Sequence, residues 1–304
     1  MKPTPRFRGN IPPVPTIWNA QGEFDRVGMG HMLDFVIRGG ADVVFCCGSA
    51  GEFSQMSEAQ RREVAQFAVE HVAGRVPVLI GIASCSTGEA IDLGRHAKAT
   101  GADGVVAVNP YYAILLPDNI LRHYRTLADK VDLPLVLYNF PALTGQDLAP
   151  AMIRELALDC PNIVGVKDTT DSARHIRDVI NAVKPVRPDF AVYAGFDEYL
   201  LETLIMGGDG AFPSSMNFAP QLASGLWRAF HAQDGAAMIE MQRRICLCPP
   251  MFGLESPFYA VVKEAARMVG VDISTHVLPP AVGLSDAKRE SVRQTLQKIG
   301  VLVP

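Results

Sequence analysis

The feature that most restricts what this chain can fold into is a recurring short apolar run, each followed by a helical pattern. The runs are "IPPVPTI" (11–17), "VVFCC" (43–47), "VPVLIGI" (76–82), "GVVAV" (104–108), "LPLVLYN" (133–139), "NIVGVK" (162–167), "FAVYAG" (190–195) and "GAF" (210–212). Between them lie amphipathic stretches such as 25–38, 57–72 and 88–99. Strands apolar on both faces suit a parallel sheet covered by helices. Eight strand–helix units predict an α/β protein of the closed (β/α)8, or TIM-barrel, class. A doubly wound open sheet is the alternative, but it usually carries a G-x-G-x-x-G loop after its first strand, where this chain has "WNAQGEFD".

An internal echo favours the barrel. "GGADVV" (39–44), "TGADGVV" (100–106) and "GGDGAF" (207–212) each lie between a helix and the next strand. Glycine there ends the helix in a left-handed turn, which places these loops on the non-catalytic face and makes them structural rather than phosphate cradles. After about residue 225 the strand signal stops. Residues 1–225 are therefore expected to form the barrel carrying the site, and 226–304 a C-terminal helical extension. Ser256 is a candidate N-cap there, with Pro257 at the first helical position.

Composition narrows the function. Hydrophobic residues make up 48% and charged residues 20% of 304, enough for a large core, and the net charge of −4 argues against nucleic-acid or membrane-surface partners. None of the six cysteines forms a Cys-x-x-Cys pair, and Cys246 and Cys248 have no partners spaced to complete a metal site. Buried, reduced thiols and a cytoplasmic location are expected. No apolar h-region follows "MKPTPRFRGN", so neither secretion nor membrane insertion is expected.

Catalytic side chains of a barrel project from the C-terminal ends of its strands. In "NIVGVKDTT" a lysine ends an apolar run, with Ile163, Gly165 and Lys167 on one face. If that face is inward, Lys167 sits at the upper rim, Gly165 leaves room below it, and burial lowers the amine's pKa enough for Schiff-base chemistry. The alternative is an ion pair with Asp168. Lys263 lies on an apolar helix beside Glu264 and reads as structural. In "LPLVLYNFPALTG", Tyr138 is either a proton relay or a core tyrosine. In "CCGSAGEFS", Gly48, Ser49 and Ala50 can expose successive N–H groups as an anion nest, or simply turn the chain. In "AVNPYYA", Tyr111 and Tyr112 read by themselves as a packing pair.

Together these segments resemble the pyruvate-dependent lysine aldolases that include dihydrodipicolinate synthase and N-acetylneuraminate lyase. "YNFPALTGQDL" and "STHVLPP" resemble the bacterial 2-keto-3-deoxygluconate aldolase-like branch. The resemblance implies a class I aldolase that cleaves a 2-keto-3-deoxy sugar acid to pyruvate and a short aldehyde. Lys167 would form the imine, with no cofactor beyond that covalent adduct and no metal. Tyr138 would move the proton, and Ser49 would link it to Tyr112, contributed by a neighbouring subunit of a homotetramer. The amides of Ser49 and Ala50, beside Gly48, would hold the carboxylate. Thr169, Asp197, Glu198 and Ser214 match substrate-side positions, although Asp197 and Glu198 could equally cap the helix after the seventh strand.

Two departures bear on specificity. Leu143 stands where the synthase has an arginine that grips a second carboxylate, and Ala50 replaces a hydroxyl residue. The same lysine imine could also serve a 2-keto-3-deoxy acid dehydratase, or an enzyme like the neuraminate lyase or the synthase. A non-enzymatic keto-acid-binding regulator is a further alternative.

Overall fold

The computed structural model describes residues 5–303. The parallel strands are β1 (Gly9–Asn10), β2 (Val44–Cys46), β3 (Val78–Gly81), β4 (Gly104–Val108), β5 (Leu135–Asn139), β6 (Ile163–Asp168), β7 (Ala191–Ala194) and β8 (Gly210–Ala211). They pair in the order β1-β8-β7-β6-β5-β4-β3-β2. Six of the apolar runs contain their strands, and β6 extends one residue past its run, to Asp168. The first run does not contain its strand, because Pro12, Pro13 and Pro15 lack the N–H that a ladder needs. The segment still joins the two ends of the sheet. Ile11 N donates to Ala211 O (2.9 Å), Phe45 N to Pro12 O (3.1 Å) and Val14 N to Phe45 O (2.8 Å), which closes the (β/α)8 barrel.

The crossover helices start where local chemistry dictates. Asp25 accepts hydrogen bonds from the N–H groups of Val27 and Gly28 and caps Arg26–Arg38. Ser57 and Gln60 form a capping box for Glu58–Val72. On the N-terminal face, Gly40, Gly101 and Gly207 take φ of +93°, +89° and +95°, the left-handed region that glycine enters without cost. The aspartate of each of these loops accepts a backbone N–H from the neighbouring strand. Asp42 takes Asn10 N (2.8 Å), Asp103 takes Val78 N (2.8 Å) and Asp209 takes Val192 N (2.9 Å). The echoed Gly-x-Asp pattern thus satisfies strand donors at the face away from Lys167.

After β8 come the helices Pro220–His231, Gly235–Ile245, Pro249–Phe252, Tyr259–Met268 and Asp286–Lys298. Gln233, at φ +57°, separates the first two, and Asp234 caps the second through Ala237 N (3.0 Å). Ser256 is not an N-cap: the helix starts at Tyr259 with no side-chain cap. Tertiary packing decides this start, because Pro257 and Phe258 are used to wall a cavity at the barrel mouth. Farther on, Trp18 and His276 form an antiparallel bridge that ties the C-terminal segment to the end of the proline-rich one. Among the described residues, no helix is long and apolar enough to cross a membrane.

Asp209 also pairs with Lys184 (2.6 Å). Replacing Asp209 with alanine strands a buried strand N–H and that lysine, so the urea midpoint should fall by the equivalent of about 2–3 kcal/mol with an unchanged m-value.

Candidate active site

Tyr138 and Lys167 are register partners on β5 and β6, and both point into the barrel top. The following residues, Asn139 and Asp168, are also register partners and face the other way. There Asp168 accepts from Asn139 Nδ2 (3.2 Å) and pairs with His175 Nδ1 (2.6 Å). Asn139 Nδ2 also donates to Asp147 (2.8 Å), and Leu148 N donates to Asn139 Oδ1 (3.0 Å). Burial opposes the charge on His175, yet Asp147 and Asp168 raise its pKa to about 10. The imidazolium thus stays paired at neutral pH and fastens the ends of the two strands from outside. Asp168 is committed to this network rather than to Lys167.

Lys167 is 4% exposed. Its Nζ lies 4.1 Å from the centroid of the Tyr138 ring, 4.9 Å from that of Phe212 and 5.3 Å from that of Phe45. Among the described residues it makes neither an ion pair nor a hydrogen bond. Burial lowers its pKa from 10.5 to about 7, against the opposing attraction of Asp197. Gly165 does not make room for this side chain as expected. A Cβ there would meet Ala191 O at 2.8 Å and Tyr193 Cε2 at 3.1 Å, so the space it leaves is filled by β7.

Tyr138 Oη lies 3.4 Å from Ser49 Oγ. Burial pushes the phenol up to about 12, with the Ser49 hydroxyl pulling the other way, so it is protonated at neutral pH. The turn after β2 carries Ser49 and Ala50 into the same cavity. Among the described residues their N–H groups have no protein acceptor, and so remain available to an anion. Gly48 lies behind them; a Cβ on it would be 2.4 Å from the Phe45 ring.

The cavity, counted with the space at its open mouth, spans about 710 Å3 and is also lined by Thr169, Asp197, Glu198 and Ser214. Asp197 accepts from Ser214 N (2.9 Å) and Ser215 N (2.7 Å). It thereby fixes the turn after β8 and caps neither its own turn nor the helix that follows. Burial raises the carboxyls of both Asp197 and Glu198. Thr169 Oγ1 is buried near the Tyr138 phenol, whose pKa it helps to lower, and makes no well-formed hydrogen bond among the described residues. It fits only because residue 195 is glycine: a Cβ there would lie 1.8 Å from that oxygen.

Tyr112 stands apart. It is 97% exposed at φ +74°, outside this cavity. Sequence reasoning missed the apolar part of the lining, namely Phe140, Phe196, Phe252 and Phe258. Phe140 could have been found beside the Tyr-Asn pair, but nothing local marks Phe252 or Phe258 as neighbours of Lys167. Among the described residues, no group of three His, Cys, Asp or Glu side chains is placed to hold a metal ion.

Comparison with known proteins places this geometry. The model of the "Dihydrodipicolinate synthetase family" matches residues 6–299. The Escherichia coli K12 protein named "Probable 2-dehydro-3-deoxy-D-pentonate aldolase YjhH" is 46% identical over 297 residues, covering 98% of this chain and 99% of its own. "Putative 2-dehydro-3-deoxy-D-gluconate aldolase YagE" from the same organism is 45% identical over 293 residues, covering 96% and 97%. A crystal structure of YagE in complex with pyruvate superposes with a TM-score of 0.96 at 44% identity, covering 98% of this chain and 100% of that one. Dihydrodipicolinate synthase from Thermotoga maritima superposes with a TM-score of 0.92 at 27% identity, covering 97% and 99%.

The lowered pKa of Lys167 carries a linkage with a definite sign. The folded amine resists protonation, so the unfolded chain binds more protons between about pH 7 and 10.5 and stability from this group rises with pH through that window. Lys167→Met should therefore be more stable than the parent at pH 7, by a few kcal/mol in denaturant unfolding, and the difference should shrink towards pH 10.5.

Proposed function

Because the chain belongs to the dihydrodipicolinate synthetase family, we propose that it is a class I aldolase cleaving a 2-keto-3-deoxy aldonic acid to pyruvate and a short hydroxyaldehyde. The observation that carries this reading is the Lys167 amine, unpaired and walled by three aromatic rings, one of which belongs to a protonated tyrosine. With a pKa of about 7, a large fraction of that amine is uncharged at neutral pH and can attack a ketone.

The substrate carboxylate binds the free N–H groups of Ser49 and Ala50, which sets C2 against Lys167 Nζ. Tyr138 gives a proton to the departing carbinolamine hydroxyl, and water leaves to form the iminium. The Tyr138 phenolate left by that step takes the C4 hydroxyl proton, C3–C4 breaks to release the aldehyde, and the electron pair moves onto the iminium nitrogen as an enamine. Protonation at C3 and hydrolysis release pyruvate and the free lysine. Ser49, 3.4 Å from Tyr138, is the first member of the relay that returns protons to the phenol.

The lining supports an uncharged aldehyde. Among the described residues, neither this cavity nor the adjoining one that contains Leu143 includes a lysine or arginine apart from Lys167. A second carboxylate or a phosphate would find no cation. Thr169 Oγ1 and the Glu198 carboxyl offer partners to hydroxyl groups instead, and Ser214 adds a third. The names of the Escherichia coli relatives, a pentonate and a gluconate aldolase, accord with this class of substrate.

The relay is completed between subunits. Tyr112, Ile114 and Leu116 are 97%, 70% and 72% exposed on one loop, a surface that suits burial against another copy of the chain. The adjoining cavity, next to Ser49 and walled by Phe53, Tyr111 and Leu143, has room for a partner's tyrosine. The proposed assembly is a homotetramer in which Tyr112 crosses into the neighbouring site.

Borohydride reduction in the presence of pyruvate should leave a reduced pyruvyl group on Lys167 by peptide mass spectrometry, and Lys167→Ala should show neither adduct nor turnover. Tyr138→Phe should lower kcat by roughly 10²–10⁴. A screen of 2-keto-3-deoxy pentonates and hexonates should release free pyruvate; a dicarbonyl acid without pyruvate would mean dehydration instead.

Subunit sharing makes a separate prediction. Chains carrying Tyr112→Ala and chains carrying Lys167→Ala, each impaired alone, should regain activity when co-assembled. No recovery in mixed oligomers would place Tyr112 outside the relay.

A further inference from the structure

A second buried lysine lies close to this site, and the reaction does not use it. Lys263, on the helix Tyr259–Met268, is fully buried and ion-paired with Glu52, which is equally buried. Glu52 ends the turn that carries Ser49 and Ala50. Its backbone is left-handed at φ +62°, and Cys47 at the other end is left-handed at φ +57°. Non-glycine residues hold that conformation only where their surroundings force it.

The forcing contacts come from two parts of the chain. Glu52 Oε2 accepts from Leu278 N (3.1 Å), and Lys263 Nζ donates to His276 O (2.7 Å). From the other side, Thr16 Oγ1 donates to Gly51 O (2.8 Å). A fully buried ion pair is a poor source of stability compared with an apolar pair of the same shape, so its presence calls for another reason. That reason lies two and three residues away, in the unpaired N–H groups of Ala50 and Ser49.

We propose that Glu52 and Lys263 are positioning residues for the substrate carboxylate: by locking the turn after β2 to the C-terminal segment, they keep the Ser49 and Ala50 N–H groups converged on one anion. With Ala50 supplying no hydroxyl, carboxylate recognition at this turn rests mainly on backbone donors, and their direction is set by the turn. This inference rests on the aldolase reading, in which Lys167 forms an imine with a 2-oxo acid.

The test separates carboxylate recognition from general loss of structure. Borohydride trapping at Lys167 is measured with pyruvate and with acetone, a ketone that lacks the carboxylate. In Glu52→Gln the preference for pyruvate over acetone should fall by about tenfold or more, with acetone trapping within about twofold of the parent. The KM for the sugar acid should rise more than kcat falls. Glu52→Gln with Lys263→Met removes both charges, folds without a stranded ion, and should show the same lost preference. Lys263→Arg retains the charge and should keep most of it. Equal losses with both ketones, or an unchanged preference with only a lower unfolding midpoint, would overturn the proposal. A parent protein that traps no pyruvate would instead remove the aldolase reading on which it rests.

Discussion

The desolvation of one amine governs the arrangement of the barrel top. Lys167 has lost its water, and no acid lies within ion-pair distance to compensate. A strand end normally admits a lysine only if it reaches solvent or a carboxylate. Here Phe45, Tyr138 and Phe212 close around the nitrogen, and Asp197, the acid that attracts it, is already committed to two backbone N–H groups. Burial is what keeps the amine's pKa low, against the attraction of Asp197. A carboxylate freed from Ser214 and Ser215 could pair with Lys167 and return it to its ammonium form.

The two buried lysines show how environment divides one chemistry into two roles. Lys263 meets a carboxylate and a carbonyl and serves as a fixed point between segments distant in sequence. Lys167 meets only rings, which leaves its amine free for the proposed imine chemistry. Both lose hydration on folding, and the presence or absence of a partner decides whether the group binds structure or substrate. The same contrast separates Asp168, locked with His175 and Asn139 on the outside of the strands, from Glu198, whose carboxyl faces the cavity.

The C-terminal helices complete the site rather than merely cover it. Phe252 and Phe258 wall the cavity, and Lys263 and the 276–278 segment hold the turn that presents Ser49 and Ala50. The aromatic walls exclude water from the amine, while the few polar atoms left unpartnered, above all Thr169 Oγ1, give a hydroxylated ligand its contacts. In the proposed reaction, charge selection rests on the described lining: with no arginine or second lysine there, it suits a ligand with one anionic end.

The sequence by itself determined the eight strand–helix units, the helical stretches beginning near residues 25 and 57, the glycine turns of the lower face, and the strand-end residues Lys167, Tyr138 and Ser49. These are local properties: period, capping chemistry and an amine out of place in an apolar run are visible within a few residues. Tertiary structure decided the rest. Prolines moved β1 ahead of the first apolar run, and packing at the barrel mouth moved a helix start from Ser256 to Tyr259. Tyr193 took the space beside Gly165, Asp197 turned to the loop after β8, and Lys263 found Glu52 rather than its neighbour Glu264. Each of these depends on which distant groups share a volume after the barrel closes, and a buried charge or an emptied space is filled by whatever group the closed fold brings nearest.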